Sequence, residues 1–300
     1  RFVARRLYYG TSNRAEGDLY NGTRDNLALD VSYDTGGLVS LAAGGNLERE
    51  KSEQATKYSG DFNAHISTRA AYGELALRPA EGLTLTGAAR VDDNSRFGTF
   101  DTYRGTLAYA TGPVKFRASY GTGAKAPGPY QLFDPTYGNA ALKAEKSRGG
   151  DIGVDVTLSD TLSVSASYFF LRKRNEISFE YIRPSGGYEQ WGKTRAQGFE
   201  LGVSARPLPW LLLNQSLTYT DHEVADDNSH YANSGRPKIS GTSSVTVTPV
   251  EGGEITVRVR YRDGDSSSAY NPETKSYAVV DILGSYRISQ QVELFGRVTN

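Results

Sequence analysis

The run Asp221-His222-Glu223, followed by Asp226-Asp227-Asn228 and His230, gathers most of the metal-capable side chains that lie close together in the chain. Carboxylate oxygens at such close spacing suit a hard cation such as calcium, but the spaced, glycine-bearing pattern of a dedicated calcium loop is missing. The run reads as a solvated acidic loop, and no metal site is assigned to it. The histidines are His65, His222 and His230, without zinc spacing. The chain has no cysteine, so thiolate sites, cysteine nucleophiles and disulfides are excluded. Gly121-Thr122-Gly123 lacks the further glycines and the following helix of a phosphate loop. No nucleophile elbow or convergent Ser, His and acid set is visible, so no catalytic residue, enzyme activity or cofactor is inferred.

Recognition chemistry is better represented. The polar stretch from Ala124 to Lys146 carries Tyr130, Phe133, Asp134 and Tyr137, and Tyr188 and Trp191 stand at the top of the next hairpin. Rigid aromatic area on an external loop can hold a large, partly planar ligand. The same rings can instead pack on one another to keep the loop folded, and Trp191 also suits a membrane-interface position. These six residues are the candidate ligand contacts.

The elements that must carry them alternate strictly. In Glu254 to Tyr261 the residues Ile255, Val257, Val259 and Tyr261 share one face, and Thr256, Arg258 and Arg260 the other. Val114, Phe116, Ala118 and Tyr120 oppose Lys115, Arg117 and Ser119 in the same way, as Leu27, Leu29, Val31 and Tyr33 oppose Asn26, Ala28, Asp30 and Ser32. One face suits lipid and the other water, which is what a transmembrane β-barrel requires. Tyr33, Tyr109, Tyr120, Tyr168, Tyr219 and Tyr261 sit toward the ends of apolar faces, where an interfacial girdle belongs. Arg90, Arg104, Lys115, Arg117, Asp151, Asp155, Arg258, Arg260, Glu293 and Arg297 then face a lumen, as plug contacts, solute path or plain solvated wall.

Hydropathy alone hides this architecture. Mean hydropathy is -0.50 over 300 residues and the net charge is +0, so no basic field suggests nucleic acid. Short turns fall at Thr35-Gly36-Gly37, Ala80-Glu81-Gly82, Thr111-Gly112, Ser159-Asp160, Pro207-Leu208-Pro209, Glu251-Gly252-Gly253 and Gln290. Longer polar stretches lie between them, near 50–62, 93–101, 124–146, 183–190, 222–236 and 262–274. Short turns at one end and long loops at the other are the asymmetry of an outer membrane barrel. The roughly 40-residue repeat also fits a β-propeller, but blades use four short strands, whereas these segments are long enough for hairpins. About seven hairpins and an initial segment make about 15 strands. The first residue is Arg1 and no signal segment follows it, so the expectation is a mature or excised piece, incomplete at both ends.

Phe116 to Pro127, then Tyr130-Gln131-Leu132-Phe133, Tyr137-Gly138-Asn139 and Leu142 to Ser147 resemble the mid-barrel signature of TonB-dependent outer membrane receptors. Arg195 to Leu201 resembles that family's R-x-x-G-x-E strand. Tyr168-Phe169-Phe170 with Ile177, and Leu294 to Asn300, match strands on either side. Two positions depart from the pattern: Ala124 stands where the family commonly has Phe, and Ala144 where it has Pro.

The resemblance implies an all-β, antiparallel up-and-down transmembrane barrel of about 22 strands, with residues 1–300 as a partial barrel domain in its later portion. Plug domain, TonB-engaging motif and terminal strand lie outside these residues. It implies an active-transport receptor of the bacterial outer membrane, a monomer surrounded by outer membrane lipid and lipopolysaccharide and engaged by the TonB complex through a missing N-terminal segment. Compact loops, with Tyr277 to Asp281 and Glu293 to Arg297, look most similar to the cobalamin transporter branch, so cobalamin or a related corrinoid is the expected ligand. A ferric siderophore or other metal chelate is the alternative, and a passive porin a more distant one. No nucleic acid partner is expected.

Overall fold

The structure is a computed structural model and describes residues 2–13, 18–56, 60–180, 186–225, 231–233, 236–264 and 274–300. Alternation becomes a meander of antiparallel strands. In chain order these are β1 (Phe2–Asn13), β2 (Asp18–Asp34), β3 (Val39–Ala55), β4 (Phe62–Ala80), β5 (Leu83–Asn94), β6 (Gly98–Thr111) and β7 (Val114–Lys125). A short helix, α1 (Pro129–Phe133), precedes β8 (Glu145–Ser159), β9 (Leu162–Glu180), β10 (Gly187–Leu208) and β11 (Leu211–Ala225). The last are β12 (Tyr231–Asn233), β13 (Ile239–Val247), β14 (Gly253–Arg262), β15 (Tyr277–Arg287) and β16 (Glu293–Thr299). Each strand pairs with its sequence neighbours, except that β12 pairs with β11 off the main path, which runs directly from β11 to β13.

The register sorts side chains as the sequence suggests. Val257 lies opposite Val245 and Ile282, while Arg258 lies opposite Ser244 and Asp281. Phe116 faces Tyr109 and Val154, and Arg117 faces Ala108 and Gly153. The polar face is cross-linked: Arg117 reaches Asp151 at 3.7 Å and Asp155 at 3.4 Å, Arg260 reaches Asp281 at 2.9 Å, and Ser119 donates to Asp151. Arg90 stacks 5.3 Å from the Tyr72 ring and donates to Asn46 at 2.9 Å. Such charges are tolerable against water or a polar plug and costly against lipid.

Curvature follows from one ring. Tyr130 packs against Tyr20 of β2 at 5.7 Å, Phe62 of β4 at 6.2 Å and Tyr188 of β10 at 5.9 Å. β2 and β10 are eight steps apart along the ladder. At roughly 4.8 Å per strand a flat sheet would separate them by about 38 Å. Tyr20 pairs with Gln54 and Ile66 with Glu50, so the face being touched is the polar one. The sheet is therefore concave on its polar side, as in part of a barrel wall.

The tight turns sit at one end, as expected. Gly82 closes the β4–β5 turn with φ +72, and a Cβ there would collide with the Ala110 carbonyl, which makes glycine the fitting residue. At the other end the strands run further into the polar stretches than expected. β3 extends to Ala55 and β11 to Ala225, because a strand whose neighbour continues keeps its hydrogen bonds above the membrane. The stretch 93–101 is no long loop: only 95–97 separates β5 from β6. Asn94 makes that turn by accepting from the backbone N–H groups of Arg96 and Phe97 at 3.0 and 3.1 Å.

In the intact protein, Val257→Arg and Phe116→Arg are expected to impair membrane assembly, since a mid-bilayer arginine costs roughly 2–4 kcal/mol. Ser119→Arg, on the concave face, is expected to assemble. Heat-modifiable gel mobility checks this, and equal folding of all three variants would contradict the register.

Candidate functional site

The buried apolar cluster lies at the long-loop end, under the segment 126–144. Leu132 and Leu142 pack on Ile66 of β4, with Phe97, Phe133, Ile177 and Tyr188 around them. The segment folds inward because its short sequence supplies both a start signal and apolar anchors. Pro129 sits at the first turn of α1, and the Gln131 side chain accepts from the Gly128 backbone N–H at 3.0 Å. Leu132 is only 3% exposed. It offers burial that the polar wall of the barrel lacks elsewhere.

Asp134 fixes the segment to the wall. Its side chain, 3% exposed, accepts from Gln54 Nε2 at 2.8 Å and from the backbone N–H groups of Thr136 and Tyr137 at 3.0 and 2.6 Å. On the opposite wall, the Tyr188 N–H donates to the Tyr137 carbonyl at 2.8 Å, and Asn139 Nδ2 donates to the Tyr188 carbonyl at 3.0 Å. Gln190 closes a further pair with Lys143, donating to its carbonyl at 2.7 Å and accepting from its N–H at 2.8 Å. Arg96 stacks 5.0 Å from the Phe133 ring and donates to the Ala140 carbonyl at 3.1 Å. The segment thus bridges two distant parts of the concave wall.

Of the six residues singled out from sequence, four fall in this bridge. Tyr130 and Phe133 lie on α1, Asp134 caps it, and Tyr137 follows, packing 5.6 Å from Phe179. Tyr188 joins them from β10, 5.4 Å from Phe179 and 5.9 Å from Tyr130. Trp191 lies on β10 opposite Glu176, and its side chain falls outside the described residues. Burial, reinforced by the Asp134 carboxylate, pushes the Tyr130 phenol up to about 12, and burial raises Tyr188 as well. Both therefore remain neutral hydrogen-bonding groups at ordinary pH. Gln54, Tyr20, Phe62 and Phe179 complete the cluster without having been singled out. Their strands are distant in sequence, and no local pattern distinguishes them from other wall residues.

Beside the bridge lies a pocket of about 310 Å³ lined by Leu7, Tyr20, Arg24, Glu50, Ser52 and Tyr130. Arg24 is 3.3 Å from Glu50 within it. Among the described residues the buried Ser52 hydroxyl has no hydrogen-bond partner. A mainly apolar, aromatic-flanked recess with one Arg–Glu pair in its wall is suited to holding part of a ligand.

The acidic run is divided. Residues 226–230 lie outside the described residues, while Asp221, His222 and Glu223 belong to β11. Glu223 pairs with Arg195. Among the described residues no group of three His, Asp or Glu side chains could hold a metal ion. His222 is instead part of a charge cluster. Burial and the nearby Arg236, with Lys173, hold its pKa below the usual histidine range, against Glu176 and Asp221. Burial raises Glu176, but the Thr194 hydroxyl and the Lys173 ammonium, 3.0 Å away, outweigh it and leave that carboxyl lowered.

Comparison with known proteins agrees with this architecture. Residues 2–300 match the family model described as TonB dependent receptor-like, beta-barrel. A vitamin B12 transporter, BtuB, of Vibrio vulnificus is 27% identical over 280 residues, covering 87% of this chain and 42% of the relative. The fold is similar to a variant of the ferric enterobactin receptor PfeA from Pseudomonas aeruginosa, with a TM-score of 0.78 at 17% identity over 94% of this chain and 48% of that one. It is also similar to the copper transporter OprC, with a TM-score of 0.77 at 19% identity over 96% of this chain and 52% of the other. The chain thus spans about half the length of the proteins it matches.

Asp134→Ala is expected to release the bridge, since it strands two backbone N–H groups at roughly 1–3 kcal/mol each and removes one of the bonds of the Gln54 amide. Limited proteolysis should cut 126–144 faster, with heat-modifiable mobility unchanged; equal protection would mean that aromatic packing alone holds the segment. Acid should loosen the His222 cluster. A histidine with a lowered folded pKa stabilises the fold above its unfolded value of about 6.5 and loses that contribution as pH falls. Lowered Glu176 acts in the same direction further down. Hydrogen-exchange protection factors at Thr194 and His222, corrected for the slower intrinsic exchange in acid, should therefore fall on going from about pH 7.5 to 5.5, and His222→Gln should flatten the higher part of that response.

Proposed function

Because the chain belongs to the β-barrel family of TonB-dependent receptors of the bacterial outer membrane, we propose that it forms the wall of a receptor that binds a scarce, large solute at its outer mouth. The solute is then imported with energy delivered through the TonB complex, which engages the protein through a segment N-terminal to these residues. The inward bridge carries this reading. The segment tied across the mouth by Gln54, Asp134, Tyr188 and Gln190 gives a receptor a rigid aromatic surface beside a recess that holds the Arg24–Glu50 pair.

For the ligand we favour cobalamin or a related corrinoid, supported by the B12 transporter among the sequence relatives. A ferric siderophore is the second reading, supported by the structural likeness to PfeA. Tyr130, Tyr137 and Tyr188 offer ring faces for a planar macrocycle, and the Arg24–Glu50 pair offers polar contacts for its periphery. Below the mouth, the paired charges of the concave wall, such as Arg117 with Asp151 and Asp155, make a polar surface against which a plug can seat. The receptor acts as a monomer in outer membrane lipid and lipopolysaccharide.

Uptake of labelled cobalamin and of a ferric siderophore panel, in cells lacking their own receptors and complemented with the intact protein, tests this. The expected result is saturable uptake of one ligand class that disappears without TonB. Uptake independent of TonB and of energy would favour a pore. Removing Pro127 to Asn139 should weaken ligand binding while the barrel still assembles. Unchanged affinity would confine Tyr130, Phe133 and Tyr137 to packing.

A further inference from the structure

Two consecutive rungs of the ladder on the outward face are entirely cationic across three strands. Arg148 of β8 lies opposite Arg172 of β9, which lies opposite Arg195 of β10. On the next rung Lys146, Arg174 and Lys193 stand in the same relation. Their parity is that of Ile152, Tyr168 and Phe199, three residues of the apolar face, so all six point away from the lumen. Like charges directly opposite one another destabilise a sheet. The neighbouring strands compensate little: Thr122 and Ala124 of β7 flank one side, and Glu223, which pairs with Arg195, and Ala225 flank the other. Arg148, Arg172, Arg174 and Lys146 are exposed. Among the described residues their side chains make no hydrogen bond or ion pair. An open groove of about 590 Å³ runs between them, with Asp101 at its rim.

Depth along the strand identifies what meets this patch. A lateral row of outward aromatics lies just below it, with Tyr120 stacked 6.3 Å from both Tyr103 and Phe170, and Tyr168 5.1 Å from Phe199. Arg172 is two residues beyond Phe170, about 7 Å along the strand and, at the tilt of barrel strands, roughly 5 Å further from the bilayer centre. Aromatic girdles mark the lipid–water boundary, so the cations stand at headgroup depth, at the end that carries the long loops. Arginine forks match the paired oxygens of a phosphate.

We propose that this patch is a binding site for the phosphates of an outer-leaflet lipopolysaccharide, whose acyl chains lie along Tyr120, Phe170, Tyr168 and Phe199 below. The proposal rests on the outer-membrane reading and assigns residues to the lipid contact. Facing away from the lumen, the patch takes no part in the solute route. The bound phosphates sit against Arg148, Arg172, Arg174 and Lys146.

The test uses the intact protein purified from the outer membrane. One variant carries Arg148→Ser, Arg172→Ser and Arg174→Ser; a second carries Lys at the same positions; a control carries Arg104→Ser, Lys115→Ser and Arg258→Ser on the concave face. Co-purified lipopolysaccharide is quantified by mass spectrometry, and binding is measured with phosphorylated and enzymatically dephosphorylated lipopolysaccharide in detergent. The serine variant is expected to bind roughly tenfold or more weakly, with the lysine variant in between because it keeps the charge but not the fork, the control near the parent and the dephosphorylated lipid weak for all. Parent-like binding by the serine variant would overturn the proposal. So would competition by inorganic phosphate as effective as that by the lipid, because it would mean a soluble anion site. Absence of the protein from outer membrane fractions on a density gradient would instead remove the underlying reading.

Discussion

Everything in this chain depends on one constraint: inside a bilayer no water is available to satisfy a backbone amide, so each strand must find its N–H and C=O partners in its neighbours. A continuous antiparallel ladder from β1 to β16 meets that constraint for every strand between its two edges with local connections only. It also fixes side-chain direction. Once the ladder is in register, every residue faces either lipid or lumen, and the polar face is free to carry paired charges such as Arg260 with Asp281. Those pairs are partly exposed and screened, and they contribute more to lumen character than to stability.

The same ladder leaves the wall without an interior of its own. Neither face of a large barrel's sheet is a packed core, which is why the buried apolar cluster of Ile66, Leu132 and Leu142 arises where a loop folds back onto the wall. Burying this segment required satisfying its polar groups as well as its apolar ones. Asp134, Asn139 and Gln190 do so by bonding backbone and side-chain groups across the mouth. The outcome is a preorganised surface, in which ring orientation is set before any ligand arrives. Above the lipid boundary the outer face follows a different rule, since charge becomes tolerable there and Arg148, Arg172 and Arg174 replace aromatic rings.

The sequence by itself determined the strands, their faces and most of their turns. Period-two alternation is a local property, and Thr35-Gly36-Gly37, Ala80-Glu81-Gly82 and Ser159-Asp160 encode reversals within a few residues. It also pointed to Tyr130, Phe133, Asp134, Tyr137 and Tyr188 as a group, because aromatic residues in a polar stretch stand out without knowledge of their neighbours. Only the tertiary structure decided what that group touches. Tyr20 and Gln54, paired on β2 and β3, lie far along the chain from Tyr188 on β10, and their meeting at Tyr130 and Asp134 depends on the curvature of the whole sheet. The turn at 95–97 escaped notice because a single side chain, Asn94, makes it. The cationic rungs were equally hidden. Arg148, Arg172 and Arg195 belong to three separate strands, and they become one surface only through the pairing register, which no local stretch of sequence contains.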